Sequence, residues 1–336
     1  MSTNLAAVNP ITTDVDFDRD GVQHGYLKLP HSGDESAWGA VMIPICVAKN
    51  GHGPTALLTG ANHGDEYEGP IALMDLARRI DSRAISGRVI MVPMMNQPAF
   101  AAGKRTSPID GGNLNRLFPG LPNGTATQKI AHYFQTELLP LADVVLDIHS
   151  GGRTLEFVPF CAAHHLDDAE QESRCRDAML AFNAPYSLML RELDVAGLYD
   201  TAAEDMGKTF ITTELGGGGT ASVKTASVAK KGIANLFKHI GILPGTPDTP
   251  SGQMLSMPEQ GCYITSEGAG LVEFVVELGA EVKAGQPVVQ IHSTERTGGQ
   301  PRVYKAEIDG LLVGRHFPGL SRPGDTLAML AVADEI

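Results

Sequence analysis

The chain has 336 residues, 43% of them hydrophobic and 19% charged, and its 39 acidic side chains outnumber 26 basic ones for a formal charge of −13. That composition excludes a disordered or fibrous chain. The acidic balance argues against nucleic acid and anionic membrane surfaces as partners, since both call for a basic face.

At roughly 150 residues per domain, the length suggests about two domains. The first twenty residues carry neither a basic start nor an apolar core, so no export signal is expected there. The most apolar stretch, 41–48, is broken by Pro44 and falls far short of the ~20 residues of a membrane span. Cys46, Cys161, Cys175 and Cys262 form no CxxC pair. Free thiols in a reducing cytoplasm are therefore expected.

Residues 40–48, 55–60, 88–93, 143–149 and 209–215 are nearly continuous in Val, Ile, Leu and Met, as in strands buried on both faces. Helices are expected between them. Residues 69–80 offer a broad apolar face, 125–139 open on a Thr-x-x-Gln capping pattern, and 167–181 open on Asp-x-x-Glu. Residues 222–240 close on Gly241 and Pro244. The alternation predicts an α/β layered domain with a mixed, largely parallel sheet over residues 1–245, the first 38 or so being an extension. Residues 246–258, rich in Pro and Gly, read as a linker. The short β runs at 270–278, 287–292, 302–308, 310–316 and 326–332 then predict a small all-β domain over 259–336. Exposed strand edges there favour a homodimer.

The chemistry concentrates at predicted strand ends. Thr59-Gly-Ala-Asn-His63-Gly-Asp-Glu66 follows one strand, Asp147-Ile-His149-Ser-Gly-Gly ends another, and Glu214 ends a third before four glycines, Gly216 to Gly219. Open α/β sheets place ligands at that edge. Two imidazoles and one carboxylate, His63, His149 and Glu66, suit a catalytic Zn²⁺ with one position left for water. Glu214 is then free to serve as general base and acid. Adjacent His164 and His165 read as solvated loop residues. His52, His132, His239, His292 and His316 have no partners at ligand spacing.

These residues, together with Arg105-Thr-Ser-Pro-Ile-Asp110-Gly-Gly-Asn-Leu-Asn115-Arg116-Leu-Phe-Pro-Gly, make the chain resemble the succinylglutamate desuccinylase/aspartoacylase family. The likeness covers most of residues 40–240. It implies a zinc-carboxypeptidase-like fold with one Zn²⁺ per chain on His63, Glu66 and His149, and Glu214 as the catalytic acid/base. It further implies Asn115 and Arg116 on a substrate carboxylate and Arg105 beside the developing oxyanion. Asp147 would hold the outer N–H of a ligand imidazole, that of His63. The stretch from Gly270 to Gly310 resembles the hammerhead of biotinyl and lipoyl carrier domains, a barrel-sandwich fold. Residues 293–301 lack the lysine such carriers modify, so an unmodified scaffold is expected.

The resemblance implies a metal-dependent amidohydrolase acting on a small N-acyl amino acid. Among family members, bacterial deacylases with this appendage are the most similar, which implies Nα-acetyl-L-2,4-diaminobutyrate as substrate, in ectoine degradation. Other N-acyl amino acid deacylation, of the aspartoacylase or desuccinylase type, and zinc carboxypeptidase activity are the alternatives. A catalytically silent metal-binding protein is a third reading, and Glu214 argues against it.

Overall fold

The structure is a computed structural model describing residues 9–191, 196–249, 251–258 and 260–334. Residues 1–8 of the predicted extension, Pro250 of the predicted linker, and Glu259, Glu335 and Ile336 of the predicted β domain lie outside the described residues.

A two-residue strand β1 (Thr12–Thr13) precedes a long hairpin of β2 (Gly21–Gly33) and β3 (Ser36–Asn50). Then come β4 (Thr55–Gly60), α1 (Glu68–Arg79), β5 (Gly87–Val92), the short α2 (Gln97–Ala102) and α3 (Ala126–Tyr133). After β6 (Val144–His149), β7 (Leu155–Phe157) and β8 (Phe160–His164) the chain forms α4 (Ala169–Phe182) and β9 (Tyr186–Leu190). The short α5 (Tyr199–Glu204), β10 (Thr209–Glu214) and α6 (Val223–His239) complete this part. Thr125 and Gln128 close a reciprocal capping box on α3, as the Thr-x-x-Gln pattern predicts. The cap of α4 is Asp168, whose carboxylate accepts from the Glu170 and Gln171 amides.

β5, β4, β6 and β10 run parallel side by side, β3 is antiparallel to β5, and β8 is antiparallel to β10. The sheet is therefore mixed, and beyond this central parallel run β9 is again parallel to β8. Because successive strand residues face opposite ways, Ala56, Leu58, Leu146 and Ile211 join one core with α1, α4 and α6. Leu57, Ile90, Val145 and Phe210 join another with α3 and α5 on the opposite face. Both faces are covered, which explains why apolar residues occupy both faces of these strands.

The stretch read as a linker contains β11 (Gln253–Ser256), which pairs parallel with β9. Met254 and Leu255 are buried there, and the strand carries the large sheet onward past the prolines around it. β12 (Tyr263–Thr265), β13 (Gly270–Phe274), β14 (Glu281–Val282), β15 (Pro287–His292) and β16 (Arg302–Lys305) follow. The last are β17 (Gly310–His316), β18 (Leu320–Ser321) and β19 (Thr326–Ala333). β19 pairs with β11 and β17 with β7, so the large sheet reaches 15 strands, beside a second antiparallel sheet ordered β16-β15-β13-β18. Phe157, Phe160 and Leu188 share a core with Leu255, Val313 and Ala331, which ties the C-terminal part to the α/β part.

Candidate active site

Strand parity places the chemistry. Thr59, Asp147 and Thr212 stand abreast on β4, β6 and β10, and one step further along, His149 and Glu214 are register partners. By alternation these side chains share the face of Leu57, Val145 and Phe210, the face covered by α3 and α5. The carboxyl ends of three parallel strands thus present their polar groups together.

His63 arrives from the turn after β4. Ala61 there takes a positive φ of 49°, an unusual backbone for a residue with a side chain and one that marks local strain. Gly64 lies so close to the Ala99 and Phe100 backbone of α2 that a Cβ would collide with it. Glu66 then reaches back between the imidazoles. Its Oε1 lies 2.8 Å from His63 Nδ1, and its Oε2 lies 2.8 Å from His149 Nδ1 and accepts from Ser150 N at 3.2 Å. His63, Glu66 and His149 are buried, with one donor atom from each lying within 4.8 Å of the others. Two nitrogen donors and a carboxylate at this spacing could hold a metal ion, and they fit the ligand set of catalytic zinc.

Asp147 accepts from Thr59 Oγ1 at 2.6 Å and Asn62 Nδ2 at 3.0 Å, and its Oδ2 lies 2.7 Å from His149 Nε2. The resemblance placed Asp147 on His63. The structure places it on His149, because two residues along a strand share a face. Asn113 Oδ1 takes His63 Nε2 instead, at 3.2 Å. Burial alone would discharge His149, yet Asp147 and Glu66 outweigh it and hold the imidazolium well above the usual histidine range. Burial also dominates at His63 and lowers its pKa. Glu66 stays ionised far below the ordinary carboxylate range in spite of burial, through His149 and His63.

Glu214 behaves oppositely. Burial, reinforced by the Glu66 charge, pushes its carboxyl up to about 8. Its Oε2 is buried without a hydrogen-bond partner. A buried carboxyl kept this high is able to hold or release a proton near neutrality. The four glycines after it pack against protein. All four have positive φ, and a Cβ on Gly217 would strike the Leu155 carbonyl.

The loop from 105 to 116 is latched by Asp110, which accepts from Thr127 N and Oγ1, both at 2.7 Å. It brings Arg105 Nη1 to 3.7 Å from Glu66 Oε1. Arg116 Nη1 donates to the Asn115 carbonyl at 2.7 Å, and Asn115 Oδ1 accepts from Tyr199 N at 3.0 Å. Arg105, Asn115, Arg116, Glu214 and the His-Glu-His cluster line one cavity of about 230 Å³. That is below the ~300–1,000 Å³ of drug-sized sites and suits a small metabolite.

Five residues of the cavity wall escaped the sequence reading. His164 is buried, not solvated. It lines this cavity and lies 2.8 Å, through Nδ1, from Glu204 Oε1, while His165 stays exposed. The alternation Phe160-x-Ala162-x-His164 was the available signal for a strand facing inward. Asp200 of α5 also lines the cavity, as do Met257, Tyr263 and Met329 from the C-terminal part.

What the sheet edge assembles is a hydrolytic centre arranged around a place for a cation. The profile of the succinylglutamate desuccinylase/aspartoacylase catalytic domain matches residues 52–240. The chain is 54% identical to an N-alpha-acetyl-L-2,4-diaminobutyric acid deacetylase of Halomonas elongata, covering 96% of this chain and 95% of that one. The product-bound structure of the ectoine utilization protein EutE (DoeB) from Ruegeria pomeroyi superposes with a TM-score of 0.95 at 56% identity, covering 96% of this chain and 99% of the other. A succinylglutamate desuccinylase from Silicibacter sp. TM1040 gives 0.95 at 55% identity, covering 97% and 99%. The chain belongs to the succinylglutamate desuccinylase/aspartoacylase family.

Proposed function

We propose that the protein hydrolyses Nα-acetyl-L-2,4-diaminobutyrate to acetate and L-2,4-diaminobutyrate, with one zinc ion per chain, as a step of ectoine degradation in the cytoplasm. The observation that carries the reaction class is the register of Glu214 beside His149, in a cavity shared with Arg105 and Arg116. The substrate follows the relative that is 54% identical over nearly the whole chain.

Zinc held by His63, Glu66 and His149 would supply Lewis acidity for the acyl carbonyl and the attacking water. Glu214 takes the proton of that water as the C–O bond forms and returns it to the amide nitrogen as the C–N bond breaks. Its raised pKa suits both transfers. Arg105 faces the same end of the cavity as Glu66 and stabilises the negative charge growing on the carbonyl oxygen. Arg116 offers a planar fork to the substrate carboxylate, with the Asn115 amide beside it. Asp147 fixes the ring of His149.

Helices on both faces of the sheet support a zinc-carboxypeptidase-like layered domain, and the antiparallel β16-β15-β13-β18 sheet supports a barrel-sandwich-like scaffold after it. Met257, Tyr263 and Met329 give that scaffold a part in the cavity wall. Four free, buried cysteines favour a reducing compartment, and no helix among the described residues is long and apolar enough to cross a membrane.

The test is a panel on zinc-loaded enzyme comprising the α- and γ-acetyl isomers of diaminobutyrate, other N-acetyl amino acids and short peptides. Preferred cleavage of the α isomer is expected. Cleavage of peptides with the acyl amino acids left intact would replace this reading by a carboxypeptidase.

A further inference from the structure

We propose that Tyr199 is a positioning residue for the metal centre: its hydroxyl supports Thr59 Oγ1 and, through Thr59 and Asp147, holds the ring of His149. The inference rests on the reading of His63, Glu66 and His149 as zinc ligands. Tyr199 is fully buried at the start of α5, and its hydroxyl has no hydrogen-bond partner among the described residues. Buried polar groups are nearly always paired, because a lone one forfeits its bonds to water. The unmatched hydroxyl lies behind the chemistry, and its surroundings show what it can act on.

Three rows of side chains cross the sheet on the face covered by α5. Leu57, Val145 and Phe210 form the first row, Thr59, Asp147 and Thr212 the second, and His149 and Glu214 the third. The Tyr199 ring packs edge to face against Phe210 of the first row, with centroids 5.7 Å apart. Phe134 meets it in the same way at 5.9 Å, and Phe118, two residues after Arg116, lies against it at 4.8 Å. Three rings thus hold the phenol beside the first row, next to Thr59 and Asp147. Its electrostatics agree with that placement. Burial and the Asp147 charge raise its pKa well above the usual tyrosine range, and Thr59 opposes them. The hydroxyl therefore keeps its proton and is a donor.

Thr59 is the matching acceptor. It gives its one hydroxyl hydrogen to Asp147 Oδ1 at 2.6 Å, in preference to the Leu146 carbonyl at 3.4 Å. Its oxygen is left with lone pairs to receive a hydrogen. Asp147 Oδ2 in turn lies 2.7 Å from His149 Nε2. A bond accepted by Thr59 strengthens the bond it donates, so the phenol tightens the carboxylate that orients the ligand imidazole. The backbone of the same residue serves the substrate side, since Tyr199 N donates to Asn115 Oδ1 at 3.0 Å. Side chain and backbone thus support two different halves of the site, and mutation can separate them.

The experiment measures zinc dissociation constants by chelator competition, and KM in zinc-saturated enzyme, for the wild type, Tyr199→Phe, Thr59→Val and the double variant. Phenylalanine keeps both the ring and the backbone N–H, so the aromatic packing and the bond to Asn115 remain. Tyr199→Phe is expected to weaken zinc binding by about 3–10-fold, the effect of one net hydrogen bond, with KM at the wild-type level. The double variant should bind zinc no more weakly than Thr59→Val alone, because the hydroxyl acts through Thr59. Melting of the metal-free protein gives a second readout. Removing a supporting hydroxyl lowers the melting temperature, whereas removing an idle, unpaired one leaves it level or raises it. A wild type that binds no zinc would overturn the metal reading itself. With zinc bound by the wild type, four results would each overturn the Tyr199 assignment alone: an unchanged dissociation constant in Tyr199→Phe, losses that multiply in the double variant, a raised KM, or a level or higher melting temperature.

Discussion

Asp147 and His149 stand two residues apart on β6 and face the same way, with Asp147 Oδ2 2.7 Å from His149 Nε2. Thr59 donates to the other oxygen, Oδ1, and Asn62 to Oδ2 itself, so the imidazole is fixed in the plane that its Nδ1 needs toward Glu66. Replacing Asp147 by Asn leaves the ligands in place but frees the ring. Zinc affinity should fall by about 10–100-fold, the usual effect of losing an outer partner of a ligand histidine. Chelator competition measures it, and an unchanged dissociation constant would show that Asp147 has no part in orienting the ligand.

Zinc affinity should also rise with pH. Asp147 and Glu66 overcome burial and keep metal-free His149 protonated well above the usual histidine range. A ligating imidazole must be neutral, so that proton leaves on binding. Below the raised pKa, each pH unit should tighten binding by up to about tenfold for the one proton lost. Titrations at pH 6, 7 and 8 check this. In Asp147→Asn, which lacks one of the two carboxylates holding the proton, the slope should flatten near neutrality.

Glu214→Gln separates reaction from binding. The amide keeps the shape of the side chain and cannot shuttle a proton, so kcat should drop by about 10²–10⁴-fold. Zinc content should stay at wild-type level. Stability gives an independent readout in metal-free protein. The folded carboxyl titrates near 8 rather than in the usual range around 4.5. Folding then favours the protonated form, and stability falls as pH rises between those values. The variant loses that dependence. It should match the wild type near pH 5 and melt at a higher temperature near pH 8, and equal melting at both values would contradict the raised pKa.

The central strands were legible because β4, β5 and β6 are buried on both faces and read as mostly apolar runs, and β10 as Phe210-Ile211 among threonines. His63, His149 and Glu214 stood out because each interrupts or follows such a run at its carboxyl end. β2 and β8 were not legible. β2 mixes His, Gln and Lys into an edge hairpin, and β8 has five residues, two of them alanine. β11 hid among prolines, since its pairing with β9 and β19 is long-range and leaves no local period. Asp200 was invisible for a related reason. Its six-residue helix has no periodicity to reveal, and its place in the cavity depends on the bond from Tyr199 N to Asn115 Oδ1, two residues 84 apart in sequence.

The core on the far face of the sheet offers a test remote from the chemistry. α6 crosses α4 where Gly232 lies flat against the Phe182 ring, so close that a Cβ on Gly232 would enter the ring. Phe182 is fully buried, and Ile233, Leu236 and Phe237 share its core, which leaves the ring no free direction in which to yield. In an open helix, Gly→Ala would stabilise by about 1 kcal/mol through backbone entropy. Here steric crowding opposes that gain, since overpacking a tight core costs about 1–3 kcal/mol. Gly232→Ala should therefore destabilise the protein when unfolding is followed in urea. Pairing it with Phe182→Leu, which clears the ring, should recover part of the loss. A gain in stability for the single variant would mean that α6 and α4 are packed less closely than the structure shows.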